Sequence, residues 1–133
     1  MRDRYPKILI VEDENIIALD IRSMLVDLGY TVSAIVSSGE DSIKKASRLR
    51  PDLVLMDIKL KGRIDGVSAG EKIYKKYHIP IIYLTAYSDQ RTLERINNDR
   101  KRNPSAVIHK PFDEGELQTV IDDTLIQKQG LFD

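Results

Sequence analysis

Short apolar runs alternate with helical patterns five times along this chain, and that alternation restricts the fold more than any other feature. The runs are "KILIV" (7–11), "YTVSAIVS" (30–37), "DLVLM" (52–56), "IPIIYLTA" (79–86) and "SAVIH" (105–109). Their nearly unbroken apolar character suits strands buried on both faces, as in a parallel sheet. Helical spacing is clear at 15–29 through Ile17, Ile21, Met24, Leu25 and Leu28, with Gly29 as the stop. A shorter helix at 39–49 turns Ile43 and Ala46 inward and is broken by Pro51. The third, at 66–77, lines up Val67, Gly70, Ile73, Tyr74 and Tyr77. The fourth, 89–100, is polar, with only Leu93 and Ile96 clearly apolar. The last, 113–129, sets Leu117, Val120, Ile121 and Leu125 on one face. Such βα repetition predicts an α/β fold: a parallel sheet with helices on both faces and right-handed crossovers.

In a sheet of this kind, ligands sit beyond the carboxyl ends of the strands. The residues that follow each run therefore carry the functional information. Glu12, Asp13 and Glu14 follow the first, Asp57 the third, Thr85 and Ala86 the fourth, and Lys110 and Pro111 the fifth. Acids, a hydroxyl and an ammonium are thus expected on one edge. Two carboxylates ~4 Å apart repel by about 4 kcal/mol at an effective dielectric of ~20, so a divalent cation is the natural partner. Mg²⁺ suits one or two carboxylates together with phosphate oxygens and water. Asp13 or Glu14 alone also fits a helix cap, whereas Glu12, Asp13 and Asp57 together favour a metal. A carboxylate fixed at a strand end can act as a nucleophile and form an acyl phosphate. Lys110 then supplies a second cation, Thr85 a hydroxyl, and Ala86 space beside its backbone N–H. Taken singly, Thr85 reads as strand filler and Lys110 as a solvated lysine; their shared position gives them meaning.

The whole set, "LIVEDE", "LVLMDIKL", "DG" at 65–66, "IIYLTAY" and "HKPF", resembles the receiver domain of two-component response regulators, from about Lys7 to Gln127. The resemblance implies a flavodoxin-like, doubly wound five-stranded sheet of order 2-1-3-4-5. It implies Asp57 as phosphoacceptor, and Mg²⁺ held by Glu12, Asp13, Asp57 and the backbone carbonyl of Lys59. Thr85 resembles the switch hydroxyl, Lys110 the phosphate-pairing lysine, and Lys110–Pro111 a bond that is cis in the family. Thr85, Ala86 and Lys110 would together receive the phosphoryl oxygens, and Lys59 and Tyr87 would tune hydrolysis. The domain would be a signalling switch that catalyses only its own phosphorylation and dephosphorylation. Its donor would be a sensor histidine kinase, a phosphotransfer protein or a small acyl phosphate. Its effector would meet the face formed by the fourth helix, fifth strand and last helix, with a homodimer left open.

Three departures stand out. Val107 occupies a position that is usually aromatic. The loop from Asp57 to Asp65–Gly66 is longer than the common form by about one residue and lacks its usual proline. The fourth helix is polar, with a basic run at Arg100, Lys101 and Arg102. Val107 and the polar helix sustain an alternative: a pseudo-receiver that binds partners without phosphorylation. A nucleotide-binding enzyme would need phosphate-cradling glycines where "VEDEN" stands. A haloacid-dehalogenase-type phosphatase usually has a second aspartate where Lys59 stands.

Bulk properties agree with a cytoplasmic domain. The 133 residues suit one hydrophobic core, read as a single domain over 1–133 with its core at about 7–127 and a tail at 128–133. Lys+Arg 21 against Asp+Glu 21 leaves no net charge, so no general pull toward nucleic acid or membrane is expected. The basic run at Arg100 reads as a solvated loop. Cysteine is absent, which removes thiolate and disulfide chemistry. No apolar run approaches the ~20 residues of a membrane span, and "MRDRYPKILIVEDEN" lacks the features of a signal peptide.

Overall fold

The computed structural model describes residues 5–86, 91, 94 and 105–130. Its elements in chain order are β1 (Lys7–Val11), α1 (Asn15–Asp27), β2 (Thr31–Val36), α2 (Gly39–Leu49), β3 (Leu53–Asp57), α3 (Gly66–Tyr77), β4 (Ile81–Thr85), β5 (Ser105–His109) and α4 (Glu114–Gly130). The expected helix over 89–100, with Leu93 and Ile96, the basic run at Arg100 and the tuning position Tyr87 all lie outside the described residues, save Arg91 and Glu94.

The five strands are all parallel and ordered β2-β1-β3-β4-β5. The alternation predicted the parallel α/β sheet, and the order 2-1-3-4-5 is the flavodoxin-like one that the resemblance implied. Strand alternation sorts the side chains into two cores. Leu9, Val11, Val54, Met56, Ile81 and Tyr83 pack with Ala46, Val67, Ala69 and Ile73, residues of α2 and α3. Ile8, Ile10, Leu53, Leu55, Ile82, Leu84 and Ile108 pack with Ile21, Leu25, Leu117 and Ile121, residues of α1 and α4. The inner strands β3 and β4 are buried at every position, whereas edge strands β2 and β5 are mostly half-buried. That explains why "SAVIH" is the least apolar run.

Helix ends follow local chemistry. Ser38 Oγ accepts a hydrogen bond from Asp41 N at 3.1 Å and caps α2. Asp65 Oδ1 accepts from Ser68 N at 2.8 Å and caps α3. Glu14 occupies the N-cap position of α1, but its side chain makes no capping bond. Arg50 closes α2 in the left-handed region immediately before Pro51. Across the protein, Tyr30 donates its phenolic proton to Asp122 Oδ1 at 2.8 Å, tying the chain before β2 to α4.

Candidate functional site

The strand ends converge as their order requires. β1 runs into Glu12 and Asp13, β3 ends on Asp57, β4 ends on Thr85, and β5 runs into Lys110. Parallel pairing keeps these ends level. Ile58 N donates to Leu84 O at 3.1 Å, and Lys110 N donates to Thr85 O at 2.8 Å. One carboxylate oxygen each from Glu12, Asp13 and Asp57 lies within 4.8 Å of the others. Lys110 Nζ stands 3.2 Å from Glu12 Oε1 and 3.4 Å from Asp57 Oδ2. Glu12, Asp13, Asp57 and Lys110 therefore meet in one place, while Glu14 stands exposed at the N-cap of α1.

Burial differs among them. Glu12 is 1% exposed and Asp57 6%, while Asp13 is half-buried. Burial and the neighbouring Asp57 carboxylate push Glu12 up to about 7, against the pull of Lys110 and of a hydrogen bond from Glu14 N at 3.2 Å. Burial alone would lower the Lys110 ammonium, but Asp57 and Glu12 outweigh it and hold the group above its ordinary value. The site thus carries more negative charge than its one lysine offsets. Its donors are hard oxygens, close enough to share one small ion, so the residues fit Mg²⁺.

Thr85 is buried, and its hydroxyl donates to Ala86 O at 3.0 Å. Ala86 is exposed beside it. Lys59 N donates to Asp57 Oδ1 at 3.2 Å, which starts the loop by folding it back over the acid. Lys110–Pro111 is cis. Gly66 is indispensable to the approach of α3: a Cβ there would collide with the Asp57 carbonyl oxygen. Gly66 N also donates to Ile58 O at 3.0 Å, so the "DG" pair both caps the helix and seats it against the site strand.

A model of the response regulator receiver domain matches residues 8–122. The chain belongs to this family. Glu12, Asp13 and Asp57 form an acidic cluster in this chain, and receiver domains generally bind Mg²⁺ at an acidic pocket. They are signalling switches rather than conventional enzymes. Among similar proteins, the phyllosphere-induced regulator PhyR of Methylorubrum extorquens is 33% identical over 129 residues, which is 96% of this chain and 46% of that protein. The transcriptional regulatory protein PdtaR of Mycobacterium tuberculosis is 35% identical over 116 residues, covering 87% of this chain and 55% of that protein. The chain thus spans about half the length of these curated relatives. The receiver domain of a modulated diguanylate cyclase from Desulfovibrio desulfuricans superimposes with a TM-score of 0.85 at 33% identity, covering 94% of this chain and 97% of that one. Among the described residues of this receiver domain, no helix is long and apolar enough to cross a membrane.

Two receiver features went unread in the sequence. One is the pairing of Lys110 with Glu12 as well as Asp57, which no local spacing reports. The other is the placement of Tyr83, which pairs laterally with Val107 across β4 and β5. Its ring fills the space over Gly70, where a Cβ would collide with the phenol oxygen.

Proposed function

We propose that this receiver accepts a phosphoryl group onto Asp57 from a phosphohistidine of a sensor kinase or phosphotransfer protein, or from a small acyl phosphate. The observation that supports this reading is the meeting of Asp57, Glu12, Asp13 and Lys110 from three strand ends. Glu12, Asp13, Asp57 and the backbone carbonyl of Lys59 would hold Mg²⁺. When bound, that ion offsets charge on the phosphoryl oxygens, which otherwise repel the carboxylate. An Asp57 oxygen forms the new bond to phosphorus as the bond to the donor nitrogen or oxygen breaks, its electron pair leaving with the donor.

The protein's own residues then respond. Lys110 already touches both Glu12 and Asp57 and needs only a short swing to pair with the added charge. The Thr85 hydroxyl turns from the Ala86 carbonyl toward a phosphoryl oxygen, and the small Ala86 leaves room for it. Because Lys110 N is bonded to Thr85 O, the ends of β4 and β5 move together. The effector would read this at the surface of residues 89–100, β5 and α4. An exposed apolar line on α1, Ile16, Leu19 and Val26, starts beside Asp13 and suits a protein donor docking at the site. The setting proposed is the cytoplasm, with residues 7–127 as the receiver core.

A pseudo-receiver is the second reading. Val107, where the family usually has an aromatic ring, favours it. Labelling with radioactive acetyl phosphate separates the two. Mg²⁺-dependent incorporation that vanishes in Asp57→Asn supports the phosphoacceptor; no incorporation by the native protein leaves the pseudo-receiver.

A further inference from the structure

The loop between Asp57 and α3 holds few anchors of its own. Lys59, Lys61, Gly62 and Arg63 are all exposed; beyond the buried Ile58 at its start, Leu60 and Ile64 are the loop's half-buried contacts with the core. Yet the loop is fixed from outside by the first turn of α2. Ser38 forms an isolated parallel bridge with Lys61. Gly39 packs so closely on the loop that an added Cβ would lie 3.0 Å from Ile64 Cγ1 and 3.1 Å from Ile64 O.

Glu40 is the remaining contact, and its geometry is specific. Its Oε2 accepts a hydrogen bond from Arg63 N at 3.2 Å. The carboxylate lies over Gly62, 3.1–3.2 Å from where a Cβ would stand. Gly62 adopts φ 115°, a conformation open to glycine and strained for other residues. Glu40 Oε1 is buried against the loop without a hydrogen-bond partner among the described residues. The hydrogen bond from the Arg63 backbone, helped by Glu40's own backbone N–H, holds the Glu40 carboxyl below its ordinary range. The acid therefore grips loop backbone rather than a side chain.

We propose that Glu40 is a positioning residue for the metal site: by clamping the backbone of Gly62 and Arg63 it fixes the loop that presents the Lys59 carbonyl. This rests on the reading of Asp57 and Lys59 as Mg²⁺ ligands. Glu40 touches neither the ion nor the phosphoryl group. It acts through the loop, as groups behind metal ligands do.

The test is Mg²⁺ affinity of the full chain, measured by calorimetry and by amide shifts of Lys59, Gly62 and Arg63. Glu40→Ala weakens binding by about tenfold, the lower end of what losing a support behind a ligand costs. Glu40→Gln, which keeps one acceptor oxygen, loses less and guards against misfolding of the alanine variant. Gly62→Ala both pushes the carboxylate off and strains the loop backbone at this φ, so it weakens binding at least as much as Glu40→Ala. Asp41→Asn removes a charge from the same turn without touching the loop, and leaves affinity unchanged. If the native protein binds Mg²⁺ and Glu40→Ala binds it equally well, this inference falls and the phosphoacceptor reading stands. If Asp41→Asn weakens binding as much as Glu40→Gln, long-range charge is the cause and the clamp is refuted. If the native protein binds no Mg²⁺, both readings fall.

Discussion

Lys110 is shared between two carboxylates that differ in what they do. Asp57 stands at the end of a strand buried at every position, where the backbone has no freedom. Glu12 is buried beside it and bears the electrostatic strain, with its proton held up to about 7 from an ordinary 4.5. In the unfolded chain that proton is lost near 4.5. Between these values the folded state holds a proton that the unfolded state has released, so stability falls as pH rises from 4.5 to about 7 and then levels. Thermal melts of the ion-free protein across that range show this decline. Glu12→Gln flattens it, and saturating Mg²⁺ raises stability most above pH 7, where the site is fully charged. A stability that rises over this window in the native protein, with no change in Glu12→Gln, contradicts the assignment. At this scale the sequence was informative because each acid, hydroxyl and amine follows an apolar run directly. The double pairing of Lys110 was hidden, since it joins residues 98 positions apart.

The elements themselves were nearly all legible. Apolar runs and helical spacing are local, so α2 and β5 fall where the patterns set them. β3 runs one residue beyond the apolar run, because Asp57 still pairs with Leu84 on β4. What the patterns omit is how elements touch. Gly66 in "DG" is visible as a motif, but only the packed fold shows that α3 begins against the Asp57 carbonyl. Gly66→Ala forces the helix and the strand end apart, and overpacking of this kind costs about 1–3 kcal/mol. Denaturant melts check the loss, and acetyl phosphate labelling slows because the acceptor backbone is displaced. Wild-type labelling and stability in this variant would show that the contact is dispensable. The Glu40 clamp was likewise invisible, as a bond across 23 residues depends on how α2 and the loop meet in space.

For the whole molecule, the question is how far a charge added at one edge can move the opposite face. Shifting an equilibrium from 1:99 to 99:1 takes ~5.5 kcal/mol, and two charge-assisted contacts at about 1.5–3 kcal/mol each only approach it. No aromatic ring at position 107 is available to amplify the motion of Thr85. Tyr83, beside Val107, is 4% exposed and closely packed over Gly70, so it has no open place to swing into. A graded response follows. Amide spectra of the phosphorylated domain show the β5 resonances averaged between two positions rather than fully converted. A complete second set of peaks, with none of the free form left, would overturn this.

The amine that bridges two acids has one more implication. A pocket whose acids are partly offset by the chain's own ammonium is drawn together before any outside charge arrives. If Asp57 is phosphorylated as proposed, departure of the phosphate would leave the same two oxygens waiting to recapture the same nitrogen, a return spring built from the resting contacts.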